Sequence, residues 1–170
     1  MSAEARREAA KAHAAEQALG RSRGGYTTKV HMVCDGNGRP LFFALTPGNI
    51  HDSTAFDELL LWVLAYARVF LRPSRLEVVV CDKGYDCRRI VELCERHGLR
   101  AVIPKRKTPK GEERTEADFD KESYRQRNVV ERCLGWLKEN RRIAMRYEKL
   151  AATYSGMLEL AMLRRLLRAA

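Results

Sequence analysis

At 170 residues the chain falls in the single-domain range, and with 45% hydrophobic and 32% charged residues its composition is globular, which excludes a disordered tail and a membrane-embedded bundle. Lysine and arginine outnumber aspartate and glutamate by 32 to 22, a net charge of +10, so nucleic acid is the leading partner and a merely soluble basic surface the plain alternative. The five cysteines form no C-x-x-C pair or zinc-finger spacing with the histidines, and no apolar run reaches membrane-helix length, so reduced thiols, a cytoplasmic location and no membrane contact are expected.

Residues 3–18 are rich in alanine, with Glu4, Arg7, Glu8 and Lys11 spaced as helical neighbours, which predicts a solvated helix without a core face. Gly20 to Gly25 (GRSRGG) reads as a flexible basic linker, dividing an N-terminal helix (1–19) from the main domain (20–170). Tyr26 to Cys34 alternates in strand style, Asp35-Gly36-Asn37-Gly38 supplies a turn, and Pro40 to Thr46 returns as an antiparallel partner. Asp52 and Ser53 are placed to cap a helix whose Phe56, Leu59, Leu60, Val63, Leu64 and Ala67 recur at core spacing to about Phe70. Leu76 to Cys81 (LEVVVC) is a nearly unbroken apolar run, the pattern of a strand buried on both faces, and it ends on Asp82. Asp86 is placed to cap the next helix, with Ile90, Leu93 and Cys94 on one side and Gly98 at its end. Ala101 to Ile103 forms another buried strand, Lys105 to Lys121 a mobile surface loop, and helices over Ser123–Asn140 and Thr153–Arg168 close an α/β chain. Trp62 and Trp136 sit at core spacing on their helices.

On the predicted Ser123 helix, at about 100° per residue, Tyr124, Arg127, Glu131 and Lys138 share one polar arc opposite Val129, Val130, Cys133, Trp136 and Leu137. A phenol, a guanidinium, a carboxylate and an ammonium in line suit a metal ion and a phosphate backbone; the plain alternative is a solvated helix face. Asp82, directly after a buried strand, is held at the carboxyl edge of a sheet, where α/β sites lie, although an aspartate there is often a cap. Phosphodiester chemistry with two Mg²⁺ or Mn²⁺ ions needs hard oxygen ligands from different elements, so Asp82 and Glu131 form two corners of one site and a third is required. His51-Asp52 is read as structural. Lys105, Arg106, Lys107, Lys110 and Arg114, with Arg141, Arg142, Arg146 and Lys149, are either solvated charge or a track for DNA phosphates.

The Y-(2)-R-(3)-E-(6)-K spacing of Tyr124, Arg127, Glu131 and Lys138 resembles the signature of DDE-type transposases of bacterial insertion sequences, families four and five. GRSRGGYTTKVH (Gly20 to His31), TPGNIHDST (Thr46 to Thr54), CDKGYD (Cys81 to Asp86) and RRIAMRYEK (Arg141 to Lys149) are similar to the family-five blocks in the same order. The resemblance covers residues 20–168 and implies a ribonuclease-H-like mixed sheet flanked by helices, with Asp82 and Glu131 as catalytic, metal-binding carboxylates for two Mg²⁺ or Mn²⁺ ions. It implies that Tyr124, Arg127 and Lys138 grip the transposon end; Arg21, Arg23, Lys29, Lys105, Arg106, Lys107, Arg141 and Arg142 complete the expected DNA-contacting set. The partners implied are double-stranded DNA, as terminal inverted repeats and as target, and a second copy of the chain, at a bacterial nucleoid.

One departure stands against this pattern. In the family the first catalytic aspartate precedes the GRSRGG block, yet residues 1–34 contain none, and Asp35, the first in the chain, lies in the hairpin turn. The central strand that would carry it is expected to be missing too, since an alanine-rich helix supplies no ladder hydrogen bonds. A truncated frame, a remnant copy, or a downstream frame joined to an upstream reading-frame product would account for both. Two readings stay open: a partial transposase that hydrolyses and transfers strands when complete, or an inactive DNA-binding or dimerising fragment. A ribonuclease-H-like nuclease unrelated to transposition fits the blocks least.

Overall fold

The chain folds into α1 (Ala3–Glu16), β1 (Gly20–Ser22), β2 (Gly25–Cys34), β3 (Pro40–Pro47), α2 (Phe56–Phe70), β4 (Val78–Val80), α3 (Arg88–Arg96), β5 (Arg100–Val102), α4 (Lys121–Arg125), α5 (Asn128–Lys138), α6 (Arg141–Met145) and α7 (Ala151–Ala169). The computed structural model describes residues 3–70, 76–105 and 119–169. They form two units, Met1–Ile50 with Val130–Ala170, and His51–Val129.

In the first unit β2 and β3 make the expected hairpin, with Thr28 opposite Pro47, His31 opposite Ala44 and a bulge at Val33/Cys34. Its turn is shaped by Asp35, whose Oδ1 accepts the N–H of Asn37 at 2.9 Å and of Arg39 at 2.8 Å, and by Gly38 at φ 78°. The GRSRGG stretch is not a linker throughout, because Gly20–Ser22 pairs antiparallel with Gly25–Thr27 of β2. Main-chain donors and acceptors make that edge pairing without help from a side-chain pattern. The described side chains of α1 are almost all exposed, as the lack of a core face predicts. Val30, Met32, Phe43 and Leu45 of the sheet pack against Leu137, Ile143, Tyr154, Leu158 and Ala161 of α5, α6 and α7.

In the second unit α2 buries Phe56, Leu59, Leu60, Val63 and Ala67, the stripe its spacing predicts. Phe56 and Leu60 join Ile90, Cys94 and Leu99 in a core against which Leu64, Val79 and Ala101 pack. β4 runs parallel to β5, with Val78 opposite Arg100 and Val80 opposite Val102. Trp62, expected in the core, is 54% exposed, because it lies about 200° around the helix from Leu60. Trp136 is half-buried in the first unit, with the Arg165 guanidinium 5.5 Å from its ring centre.

Strand directions are mixed, and among the described residues they are divided between a three-stranded antiparallel sheet and a two-stranded parallel one. The predicted Ser123–Asn140 helix is broken. Gln126 and Arg127 turn back to the carbonyls of Ser123 and Tyr124, three residues earlier, at 3.2 and 3.0 Å. Most of the predicted Lys105–Lys121 loop, including Arg106 and Lys107, lies outside the described residues.

Candidate functional site

Cys81 extends the β4–β5 pairing by donating its N–H to Val102 O at 3.1 Å, which holds the chain extended up to Asp82. Asp82 (φ −78°, ψ 172°) then caps a 3₁₀ turn over Lys83–Tyr85, its Oδ1 accepting the Gly84 N–H at 2.7 Å. The cap is the one hydrogen bond of this carboxylate among the described residues, and Oδ2 is not used in it. Capping and ligation are therefore compatible here, where the sequence presents them as rivals. Burial, then the charges of Cys94 and Asp82, push the Cys81 thiol up to about 12, so it stays neutral beside the site. Burial, then the charges of Cys81, Asp52 and Asp82, raise the Tyr85 phenol, and its ring lies 6.1 Å from Phe56 at the start of α2.

The expected cap assignments change in this unit. His51, not Asp52, caps the 3₁₀ turn over Asp52–Ala55: its Nδ1 accepts the Ser53 N–H at 3.3 Å and meets Ser53 Oγ at 2.8 Å. Asp86 closes the Lys83–Tyr85 turn, and Cys87 begins α3 without a side-chain cap. Asp52 faces Gly84 instead. A β carbon on Gly84 would lie 2.9 Å from Asp52 Oδ2 and 2.7 Å from Asp82 Oδ1. No sequence signal marks that meeting.

On α5 Glu131 and Lys138 are exposed while Cys133 and Leu137 are buried, so the polar face survives for these two residues. They lie seven residues apart on one helix, about 10 Å along its axis. Tyr124 is on α4 and Arg127 in the turn after it, with the guanidinium 5.4 Å from the Tyr124 ring centre, so the single-helix argument no longer covers all four. Tyr124, Arg127 and Asp82 belong to the second unit, Glu131 and Lys138 to the first. Among the described residues no group of three or more His, Cys, Asp or Glu side chains is gathered to hold a metal ion.

Arg21, Arg23, Lys105 and Arg141 are exposed, as a phosphate-contacting role requires. Lys29 donates to Ile50 O at 2.8 Å, and Arg142, though exposed, has Nη1 3.8 Å from Glu148 Oε1. Arg146 departs furthest from its expected role. In the left-handed region at φ 45°, its guanidinium donates to the carbonyls of Gln17 and Ala18 and to Thr28 Oγ1, and lies 5.1 Å from the Tyr154 ring centre. It clamps the end of α1 and the start of β2 to the α6–α7 turn.

The family model described as the transposase DDE domain matches residues 3–166. The chain is 33% identical over 134 residues to a protein named as a transposase for insertion sequence element IS402 of Burkholderia cepacia, covering 78% of this chain and 59% of that protein. It is 28% identical over 135 residues to one so named for element IS6501 of Brucella ovis, covering 79% of this chain and 94% of that protein. The chain thus spans less than two thirds of the first relative. No solved structure matches it.

Proposed function

The chain belongs to the transposase DDE-domain family, and on that footing we propose that it contributes Asp82 and Glu131 to a metal-dependent strand-cleaving centre and a cationic surface to transposon-end DNA. The observation that carries this reading is Asp82: a strand end fixes its backbone, one N–H fixes its Oδ1, and its Oδ2 lies outside that bond. The donor chemistry fits Mg²⁺ or Mn²⁺, since carboxylates are hard oxygen ligands and Glu131 is exposed. Two such ions, when bound, activate the attacking oxygen and stabilise the departing one.

The residues themselves supply direction and charge. Buried Cys133 and Leu137 set the face from which Glu131 and Lys138 project. The roughly 10 Å between those two along the axis corresponds to about three 3.4 Å steps of a DNA strand, so Lys138 meets a phosphate beyond the one at Glu131. Tyr124, Arg127, Arg21, Arg23, Lys29, Lys105, Arg106, Lys107, Arg141 and Arg142 steer and hold terminal repeats and target DNA under a net charge of +10. In this reading the fold is of ribonuclease-H-like class and the chain acts as a dimer on bacterial DNA.

The absence of any aspartate in residues 1–34 also favours a second reading, in which the chain alone binds end DNA without cutting it. The test is gel retardation of an end-labelled terminal repeat by the purified chain across a salt series, with Mg²⁺ and a parallel assay for released 3′-OH. Binding that weakens steeply with salt, without cleavage, is expected. Cleavage by the chain alone would refute the need for a third carboxylate, and no retention at low salt would remove the DNA reading.

A further inference from the structure

Gly84 stands where no side chain fits. Its φ lies outside the left-handed region, so glycine is needed there for room rather than for backbone freedom. A β carbon would lie 2.7 Å from Asp82 Oδ1, 2.9 Å from Asp52 Oδ2 and 3.6 Å from Asp52 Cβ, and β carbons essentially never approach another atom within 3.0 Å. Two carboxylates from distant parts of the sequence thus turn oxygens towards one small space.

The turns that carry them are fixed by other contacts. His51 does the capping that Asp52 would otherwise do. Arg89 donates to Ser53 O at 3.0 Å and to both Asp57 oxygens at 2.5 Å, tying the first turn to α2 and α3. The Phe56–Tyr85 ring contact joins the two turns. A divalent cation beside Asp82 would feel the attraction of both carboxylates.

We propose that Asp52 is a positioning residue for Asp82: across the bare Cα of Gly84 it confines the Asp82 carboxylate and adds a second negative charge towards the divalent cation that Asp82 meets. The proposal rests on the reading of Asp82 as a metal-binding carboxylate. It gives the His-Asp pair a division of labour, with His51 holding the turn and Asp52 serving the neighbouring site. It also explains why the residue two beyond Asp82 is glycine: an alanine there displaces Asp82 Oδ1, Asp52 Oδ2 or both.

The test is Mn²⁺ titration of the full 170-residue chain, followed by the electron paramagnetic resonance signal of free Mn²⁺, with the Gly84 amide resonance as a metal-free readout. Asp82→Asn is expected to remove the tightest Mn²⁺ site. Asp52→Asn is expected to weaken it about 10-fold, the size typical of residues that orient a metal ligand, and to shift the Gly84 amide before metal is added. Asp52→Glu, which keeps the charge, is expected to recover part of the affinity, and Gly84→Ala to lose as much as Asp52→Asn. A merely structural role predicts instead a lower melting midpoint for Asp52→Asn with Mn²⁺ affinity unchanged. If Asp82→Asn loses the site and Asp52→Asn keeps it at full affinity, Asp52 has no such role and the reading of Asp82 stands. If Asp82→Asn binds Mn²⁺ like the parent, the metal reading falls and this proposal with it. Should Gly84→Ala fail to fold, the two Asp52 variants decide the matter.

Discussion

The hairpin turn at Asp35 and the loop after β4 at Asp82 use the same local device, an aspartate whose Oδ1 accepts the N–H two residues on, at 2.9 and 2.7 Å. They differ in what else reaches the carboxylate. Asp35 Oδ1 takes a second N–H, from Arg39, and closes a turn between two strands. Asp82 takes one N–H, lies two residues past the end of a strand of a parallel pair, and faces Asp52 across Gly84. A third aspartate, Asp120, lies at the far end of the series: Ser123 N–H at 2.9 Å, Ser123 Oγ at 2.6 Å and Arg100 Nη1 at 2.6 Å all converge on it. A carboxylate has about four lone-pair sites, so local capping alone does not separate a structural aspartate from a ligand. Among the described residues Asp82 carries fewer donors than Asp35 or Asp120.

Asp82→Asn breaks this comparison most sharply. The amide oxygen still accepts the Gly84 N–H, so stability measured by urea unfolding should change by no more than about 0.5 kcal/mol. The tightest Mn²⁺ site should be lost; a loss of stability alongside it would merge Asp82 with the structural group. The same distinction holds among arginines. Arg146→Ala, which deletes charge-assisted bonds to Gln17, Ala18 and Thr28, should cost about 2 kcal/mol of stability. Exposed Arg141→Ala should leave stability unchanged and lower the slope of log affinity for DNA against log salt by about 1.

Smaller effects sharpen the other end of the series. Asp35→Ala removes the acceptor for two N–H groups and should destabilise the chain by about 1 kcal/mol in urea unfolding, leaving Mn²⁺ binding intact. The Ser123 hydroxyl, the Ser123 N–H and the Arg100 guanidinium hold the Asp120 carboxyl well below the usual carboxylate range. Its folded pKa is thus below its unfolded value of about 3.9, so its contribution to stability is full above that pH and is lost progressively as pH falls from there through the depressed folded value. The Ser123 amide resonance should therefore hold steady as pH drops from about 5 to about 3. It should begin to move within that range in Arg100→Gln.

What could be read from the sequence was what depends on near neighbours. The hairpin, its Asp35 turn, the buried stripe of α2 and the presence of a strand before Asp82 follow from period, turn chemistry and apolar runs, although that strand is only Val78–Val80 and half-buried, not buried on both faces. Elements set by main-chain pairing or by distant partners could not be read. Gly20–Ser22 carries no strand pattern and gains its ladder from β2. The break between α4 and α5 falls at Gln126-Arg127, where no glycine or proline announces it. Arg146 looks like one more cation of a basic run until its guanidinium is seen at the carbonyls of Gln17 and Ala18. For the candidate site, Asp82 and Glu131 were visible as residue types in position, whereas the approach of Asp52 depends on the packing of Phe56 and Tyr85.

The proposal that Asp82 and Glu131 serve one cation centre is tested most directly by Mn²⁺-induced broadening of backbone amide resonances in the full chain. The amides of Lys83–Tyr85 and those around Glu131 should broaden together at the same Mn²⁺ concentration, and Asp82→Asn or Glu131→Gln should abolish both effects. Broadening at one position with none at the other, or two effects that respond separately to the two substitutions, would contradict it.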